Sequence, residues 1–460
     1  MRTVDKSSRR SAFVCQQCGH SAPRWLGQCP GCGAWSSLVE EALPAPRPRG
    51  ARVAPSTSAA PQPLATVTAG DALRRPTGLG ELDRVLGGGL VQGSVILVGG
   101  DPGIGKSTLA LQACGALAGQ GCTVLYVAGE ESPEQVRMRA DRLGMAESGV
   151  LIVAESGAEA VAELIEKSRP AAVVVDSIQT LATAALASAP GSVGQVRESA
   201  AVLVAACKAS GVACFLIGHV TKEGTLAGPR VLEHLVDTVL YFEGDGAHAL
   251  RVLRAVKNRF GSTNEVAVFE MGEGGLVEVP NPSAAFLAER PVDAPGSAVL
   301  ATLEGSRPVL VEIQALVSRS GLAMPRRTAI GLDPGRVALL LAVLEKRMRV
   351  ALHDQDVFLN VAGGLRIDEP AADLAVVAAV ASSARWRPLA ADVVVWGEVG
   401  LTGEVRAVGR AEARLREAAR QGFRSCVLPA SNARGLEAPN GTRAVGVATL
   451  ERLFEVLALA

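Results

Sequence analysis

Aromatic side chains are scarce in this 460-residue chain, where nine phenylalanines, four tryptophans and two tyrosines make up 3% of the residues. No stacking platform for nucleobases is evident from that composition, so a nucleic acid would be held mainly through its backbone. Long apolar runs are also missing. The longest, near residues 200–206 and 374–381, are too short to span a bilayer, and no apolar segment of the signal-peptide kind follows Met1, so a cytoplasmic location is expected. Net charge is absent as well: 46 Lys and Arg balance 46 Asp and Glu, so a polyanion must be met by local basic patches rather than by the field of the whole molecule. What the chain has in quantity is apolar residues, 48% of the total, enough to fill the cores of two or three domains.

The most informative stretch is Gly100-Asp101-Pro102-Gly103-Ile104-Gly105-Lys106-Ser107-Thr108, which follows an apolar run at 94–98 and precedes a helix-like one at 109–117. Glycines at 100, 103 and 105 let the backbone curl so that its N–H groups point at phosphate oxygens, and the following helix adds positive potential at its N-terminus. This is a P-loop and predicts ATP as ligand: Lys106 reaches the β- and γ-phosphates, and Ser107 ligates Mg²⁺. About seventy residues later, Ala171-Ala-Val-Val-Val-Asp176 reads as a buried strand ending in a carboxylate, with Asp176 holding the Mg²⁺ shell. Glu130 and Glu131 close another strand, where one carboxylate can orient an attacking water and the other can cap the helix that begins near Ser132-Pro133. His219 ends a further strand, at a place where a side chain can sense the γ-phosphate or serve structure alone.

Of nine cysteines, four form the array Cys15-x-x-Cys18 and Cys29-x-x-Cys32, a spacing that favours four thiolates around Zn²⁺ over a redox dithiol. So small a module has no core of its own, and metal binding would supply its folding energy. Cys114, Cys122, Cys207, Cys214 and Cys426 lie in apolar surroundings and are expected to be buried and inert. Changes of texture divide the chain into a zinc module over 1–36, a Pro/Ala/Ser/Arg-rich flexible linker over 37–66, an ATPase domain over 67–280 and a last domain over 281–460. Residues 1–52 carry eight Lys or Arg against three Asp or Glu, which suits either contact with nucleic acid or a solvated arm. Within 67–280, strands are expected near 94–99, 123–128, 149–153, 171–176, 212–217, 238–242 and 250–257, alternating with helices: an α/β fold with a parallel-sheet centre.

The cysteine array, the P-loop and the pentapeptide Lys257-Asn-Arg-Phe-Gly261 together resemble the bacterial RadA (Sms) DNA-repair ATPases, whose core is similar to the RecA recombinase and the DnaB helicase. The resemblance covers nearly the whole chain. It implies a RecA-like core, Glu130 as the catalytic glutamate, Lys257 and Arg259 as finger-like cations acting on a neighbouring subunit's nucleotide, a homohexamer, single-stranded and branched DNA as substrates, and a recombinase of the RecA type as partner. The last domain looks like the α+β proteolytic domain of Lon, but where Lon has its nucleophilic serine this chain has Ala371, and where Lon has its lysine it has Glu412. A Ser–Lys dyad needs a hydroxyl and an amine, so proteolysis by that route is excluded. Between residues 319 and 349 seven cations, among them Arg319, Arg326, Arg327 and Arg336, face two acids, a basic patch that the resemblance assigns to DNA. An ATP-driven DNA motor is the expected function; a nucleotide-switched RecA-like binding or signalling protein is the alternative.

Overall fold

The computed structural model describes residues 11–15, 20–31, 33–42, 74–145, 148–218, 230–244, 250–321 and 324–459; Cys18, Cys32 and His219 lie outside them. Two compact units divide the chain close to Glu278, with 264–268 counted in the second. Among the described residues no helix is long and apolar enough to cross a membrane.

The first unit begins with a three-stranded antiparallel ribbon, β1 (Ser11–Cys15), β2 (Ser21–Ala22) and β3 (Leu38–Ala42), in the order β2-β1-β3. β3 lies where the linker is expected, because Leu38 packs beside Cys15, Ala22 and Cys29 and so belongs to the ribbon. After a short pair, β4 (Arg74–Arg75) with β5 (Leu90–Val91) around α1 (Gly80–Leu86), comes the main α/β succession. It runs β6 (Val95–Gly100), α2 (Lys106–Gly119), β7 (Val124–Ala128), α3 (Pro133–Arg142), β8 (Leu151–Ala154), α4 (Ala158–Ser168), β9 (Ala172–Asp176), α5 (Val193–Ser210), β10 (Ala213–Ile217), α6 (Arg230–Leu235), β11 (Thr238–Glu243), β12 (Leu250–Asn258), β13 (Val266–Gly272) and β14 (Gly275–Glu278). The nine-stranded order is β14-β13-β12-β11-β6-β10-β9-β7-β8. Six of these strands, β11 to β8, pair in parallel, so their carboxyl ends share one edge. Every residue of β6, β7, β9 and β10 is buried, as strands covered by helices on both faces require.

The second unit contains α7 (Pro282–Leu287), β15 (Ser297–Glu304), β16 (Arg307–Arg319), β17 (Arg327–Ile330), α8 (Pro334–Met348), β18 (Gln355–Val361), α9 (Asp373–Ala384), β19 (Val393–Val395), β20 (Glu398–Val399), β21 (Val405–Arg406), α10 (Ala411–Arg420), β22 (Ser425–Pro429), α11 (Ala430–Ala433), β23 (Arg443–Val447) and α12 (Leu450–Val456). Its seven-stranded sheet has the mixed order β17-β18-β16-β15-β19-β22-β23. α9 is apolar on every side after Asp373 and is buried along nearly its whole length, as such a helix must be. At the start of this helix stand two arginine–carboxylate clamps. Arg414, 1% exposed, holds Glu369 through two bonds of 2.6 and 2.8 Å and reaches the Ala301 carbonyl at 2.5 Å. Arg336 holds Asp373, whose Oδ2 also accepts the Val399 amide at 3.0 Å.

Burial works to raise the Glu369 carboxyl, but the Arg414 guanidinium, with Thr302 and the Leu303 amide, outweighs it and holds the group below its ordinary range. Its stabilising contribution is therefore complete above the unfolded carboxylate range and is lost as the pH falls through the folded value. Arg414→Leu strands the carboxylate and should cost about 3 kcal/mol, whereas Glu369→Leu with Arg414→Leu should recover most of it. Denaturant unfolding at pH 7 measures both, and a double variant no more stable than the single one would show that packing, not the unpaired charge, sets the cost.

Candidate nucleotide site

The site is assembled at the carboxyl edge of the parallel strands. β6 ends in Gly100, whose φ of 149° and whose tight fit, with a Cβ set to fall 2.7 Å from the Phe242 carbonyl oxygen, admit only glycine. The loop then turns through Gly103 and Gly105 into α2, whose first turn has no side-chain cap, leaving its amides to an outside acceptor. Lys106 is buried at 4% exposure, and its Nζ donates to the carbonyls of Gly100 at 2.8 Å and Asp101 at 2.9 Å. Burial lowers this ammonium below its ordinary value, against the negative charges of Asp176, Glu130 and Asp101, so it is a cation already surrounded by acids. Lys106, Ser107, Thr108, Glu130 and Arg139 share the lining of one cavity of about 680 Å³ with Met271 and Gly275 of the β13–β14 hairpin.

Backbone bonds bring the acids together. The Asp176 carbonyl, at the end of β9, accepts the amides of Gly129 at 2.7 Å and Glu130 at 3.3 Å, which follow β7. The carboxylate of Glu130 accepts the Ser177 hydroxyl, and the Tyr126 hydroxyl donates to Asp176 Oδ2 at 2.5 Å. Burial, reinforced by Asp176, pushes the Tyr126 phenol well above its ordinary value, so it stays a donor. Neither glutamate caps α3; Ser132 does, in a reciprocal box with Gln135, because its short hydroxyl sits one residue nearer the helix. Glu131 instead pairs with Arg139, whose Nη1 lies 3.9 Å from Asp176 Oδ2. Sequence reasoning missed Tyr126, Arg139 and Ser177. The period of two, which places Tyr126, Ala128 and Glu130 on one side of β7, was the available signal for the first; the others depend on how α3 folds back and how the chain leaves β9.

Other sequence candidates fall elsewhere. Cys15 and Cys29 are buried side by side in the ribbon, at 0% and 1% exposure, with Gly33 closing a turn onto the Cys29 carbonyl at 2.8 Å. Cys122 is not buried: it is half-exposed, and Arg75 Nη1 donates to its sulfur at 2.9 Å, because it lies in the turn before β7 rather than in the strand. Burial raises Cys114 and carries Cys426 up to about 12, so those thiols are inert. Lys257 and Arg259 sit at the end of β12, opposite the start of β11 and β6, which is the sheet edge away from the P-loop. Lys257 Nζ donates to the Glu233 carbonyl and to that of Val236 at 2.8 Å, and Arg259 pairs at 3.0 Å with buried Asp237. Arg319 is exposed at the end of β16. Arg326 lies over the Phe358 ring and pairs with Asp356 at 3.1 Å with its side chain 61% exposed, and Arg327 bonds the carbonyls of Gln355 and Leu352. Arg336 differs, its guanidinium being committed to Asp373 and the Val399 carbonyl. In the second unit Ala371 is buried and Glu412 is exposed beside Arg416, so no Ser–Lys pair forms there.

Gly129 is the hinge of the acidic cluster, since a Cβ there would lie 2.0 Å from Thr180 Oγ1 and 3.1 Å from its Cβ. Gly129→Ala should cost about 1–3 kcal/mol through overpacking, and adding Thr180→Ala should return part of it. Melting curves of the two variants measure this; a single variant as stable as the parent would mean the strand ends can part freely.

Three family models match successive parts of the chain: a rubredoxin metal binding domain at 13–40, an AAA domain at 58–225 and the Lon protease (S16) C-terminal proteolytic domain at 343–460. Among curated proteins, "DNA repair protein RadA" of Bacillus subtilis (strain 168) is 52% identical over 445 residues, covering 96% of this chain and 97% of that one. Its namesake in Pseudomonas aeruginosa is 54% identical over 448 residues, covering 97% and 98%. The Streptococcus pyogenes (serotype M6) protein of that name is 50% identical over 452 residues, covering 98% and 99%. With a P-loop ATPase core, a zinc-ribbon domain and a Lon-like domain in that order, and such identity along nearly its full length, the chain belongs to the RadA family of DNA repair proteins.

Proposed function

We propose that the chain is a DNA-dependent ATP hydrolase acting in the cytoplasm as a ring-shaped motor, a homohexamer that migrates branches in recombination intermediates by moving along single-stranded DNA beside a RecA-type recombinase. The observation that carries the hydrolase part is the convergence of Lys106, Glu130 and Asp176 on one sheet edge, the first two lining a cavity of about 680 Å³. Lys106 presents its charge to the transferring phosphoryl group, and Glu130, held by Ser177, orients the attacking water. Ser107 and Asp176 offer the oxygen donors that Mg²⁺ prefers; the ion, when bound, neutralises developing charge on the phosphates. Of the set Cys15, Cys18, Cys29 and Cys32, the two within the described residues, Cys15 and Cys29, belong to one buried cluster of the ribbon, which fits a thiolate site for Zn²⁺.

The ring reading is supported by where Lys257 and Arg259 stand. Pairing sets Asn258 against Thr238 and Ile96, four residues of strand below Gly100 and thus about 13 Å from it along the sheet. They are too far to serve their own P-loop, so a role at the phosphates has to be served on a neighbour. DNA contact falls to Arg319, Arg326 and Arg327 among the arginines of the second unit, with Arg336 occupied by Asp373. No hydrolytic dyad accompanies them, so the Lon-like domain binds and assembles rather than cutting peptides.

Lys106→Ala should abolish ATP turnover with the fold intact, and Arg259→Ala should bind ATP yet hydrolyse it poorly. Mixing the two chains creates interfaces that join an intact P-loop to an intact finger, so part of the activity should return on subunit exchange. Confirmed mixed rings without recovery would place Arg259 outside the neighbour's site, and unchanged turnover in Lys106→Ala would remove the P-loop assignment itself. For DNA, Arg326→Ala with Arg327→Ala should flatten the salt dependence of binding by about two phosphate contacts and leave nucleotide affinity unchanged. An unaltered salt slope would return these arginines to the solvated surface.

A further inference from the structure

The ribbon has a core of four small or medium residues, Cys15, Ala22, Cys29 and Leu38. It also carries two of the chain's four tryptophans, and neither is in that core: Trp25 is 55% exposed and Trp35 74%. Burying an indole is the largest apolar gain open to so small a module, so two left in water mark a surface with a partner of its own.

The pair is held in place by backbone. Cys29 N–H donates to the Ala34 carbonyl and Gly33 N–H to the Cys29 carbonyl, both at 2.8 Å, which closes the turn between the two tryptophans. Beyond the turn Trp35 bridges Gln28, and Ser36 N–H donates to the Gly27 carbonyl at 2.8 Å. Gly27 therefore lies between the rings: a methyl there would sit 3.8 Å from Cη2 of Trp25 and 3.8 Å from Cζ3 of Trp35. The two ring edges are no more than twice that distance apart, so one flat group can touch both.

The surrounding charge points to the partner. Across residues 20–37 the ionisable side chains other than cysteine are His20 and Arg24, both exposed, and the ribbon's acids, Glu40 and Glu41, come later, on β3. Two exposed indoles near one another, with Arg24 next to Trp25 in sequence, suit a nucleobase followed by its phosphate. The low aromatic content of the whole chain conceals this, because the two rings are concentrated in one hairpin.

We propose that Trp25 and Trp35 form a stacking site for a base of single-stranded nucleic acid, with Arg24 on the adjoining phosphate. The site is separate from the ATPase cavity and from the arginines of the second unit, and it does not depend on the motor reading.

The full chain is titrated with oligo(dT) and with an abasic oligomer of equal length, as the parent, as Trp25→Leu with Trp35→Leu, and as Trp25→Phe with Trp35→Phe. The leucine pair should bind oligo(dT) about tenfold more weakly and the abasic strand as the parent does, and the phenylalanine pair should restore most of the difference. The salt slope should stay the same in all three, since stacking releases no counterions. Parent-like binding of oligo(dT) by the leucine pair overturns the proposal, and if that pair then fails to bind a protein partner the surface belongs to a protein. Equal losses on both strands overturn it too. Should the leucine pair lose the ribbon fold, the phenylalanine pair decides: it must still prefer oligo(dT) over the abasic strand, and equal affinity for the two sinks the idea.

Discussion

One carbonyl oxygen organises the nucleotide site. That of Asp176 receives the amides of both Gly129 and Glu130, so the ends of β9 and β7 are joined by the backbone before any side chain is considered. Three carboxylates, those of Asp176, Glu130 and Glu131, stand at this junction. Asp176 points its carboxylate to Tyr126, Glu130 takes the Ser177 hydroxyl, and Glu131, one residue further on, is left to Arg139. Three carboxylates this close repel one another, and two cations, Lys106 at the start of α2 and Arg139 from α3, offset that repulsion. The neighbouring glutamates thereby acquire different work: Glu131 forms an ion pair with Arg139, while Glu130 accepts the Ser177 hydroxyl and faces the charge of Lys106.

How much of this was legible in the sequence follows from which residues are fixed by local pattern. Asp176 closes an apolar strand, Glu130 and Lys106 follow the ends of two others, and strands of a parallel sheet end on one edge, so reading three strand ends was enough to bring three side chains together. Tyr126 and Arg139 were not legible in the same way. Each belongs to an element whose secondary structure was readable, but their meeting at Asp176 depends on the angle at which α3 returns over β7, which no spacing encodes. Cys122 shows the opposite error: its neighbours are apolar, yet it lies in a turn, where apolar neighbours do not imply burial. Likewise the ribbon continues through Leu38, because one leucine completing a core outweighs the loop-like composition that follows it.

In the Lon-like unit the segment around Ala371 is built on ion pairs. Ala371 itself is 1% exposed. Two residues before it stands Glu369 and two after it Asp373, each locked by an arginine. Both carboxylates are consumed in bonds to Arg414 and Arg336, so this segment is tied down by ion pairs. A charge pair of this kind contributes little over a well-packed apolar pair, but removing one member leaves the other unpaired, which makes the two clamps hard to lose separately.

The same reasoning separates the basic residues by what they have left to offer. Arg336 has given its planar fork to Asp373 and a carbonyl, and Lys257 has given its ammonium to the carbonyls that end α6, a placement that suits the negative end of a helix. Arg326 and Arg259 differ from them. Each has a carboxylate partner, Asp356 or Asp237, that is nearly buried, while the arginine side chain remains about half exposed or more, at 61% and 49%. An exposed cation held at its base by a buried acid keeps its direction without giving up its outer N–H groups, and side-chain entropy that would otherwise be lost on meeting a phosphate has been lost already on folding. That is the electrostatic form expected of a residue that waits for an anion from another molecule, whether a neighbour's nucleotide or a strand of DNA.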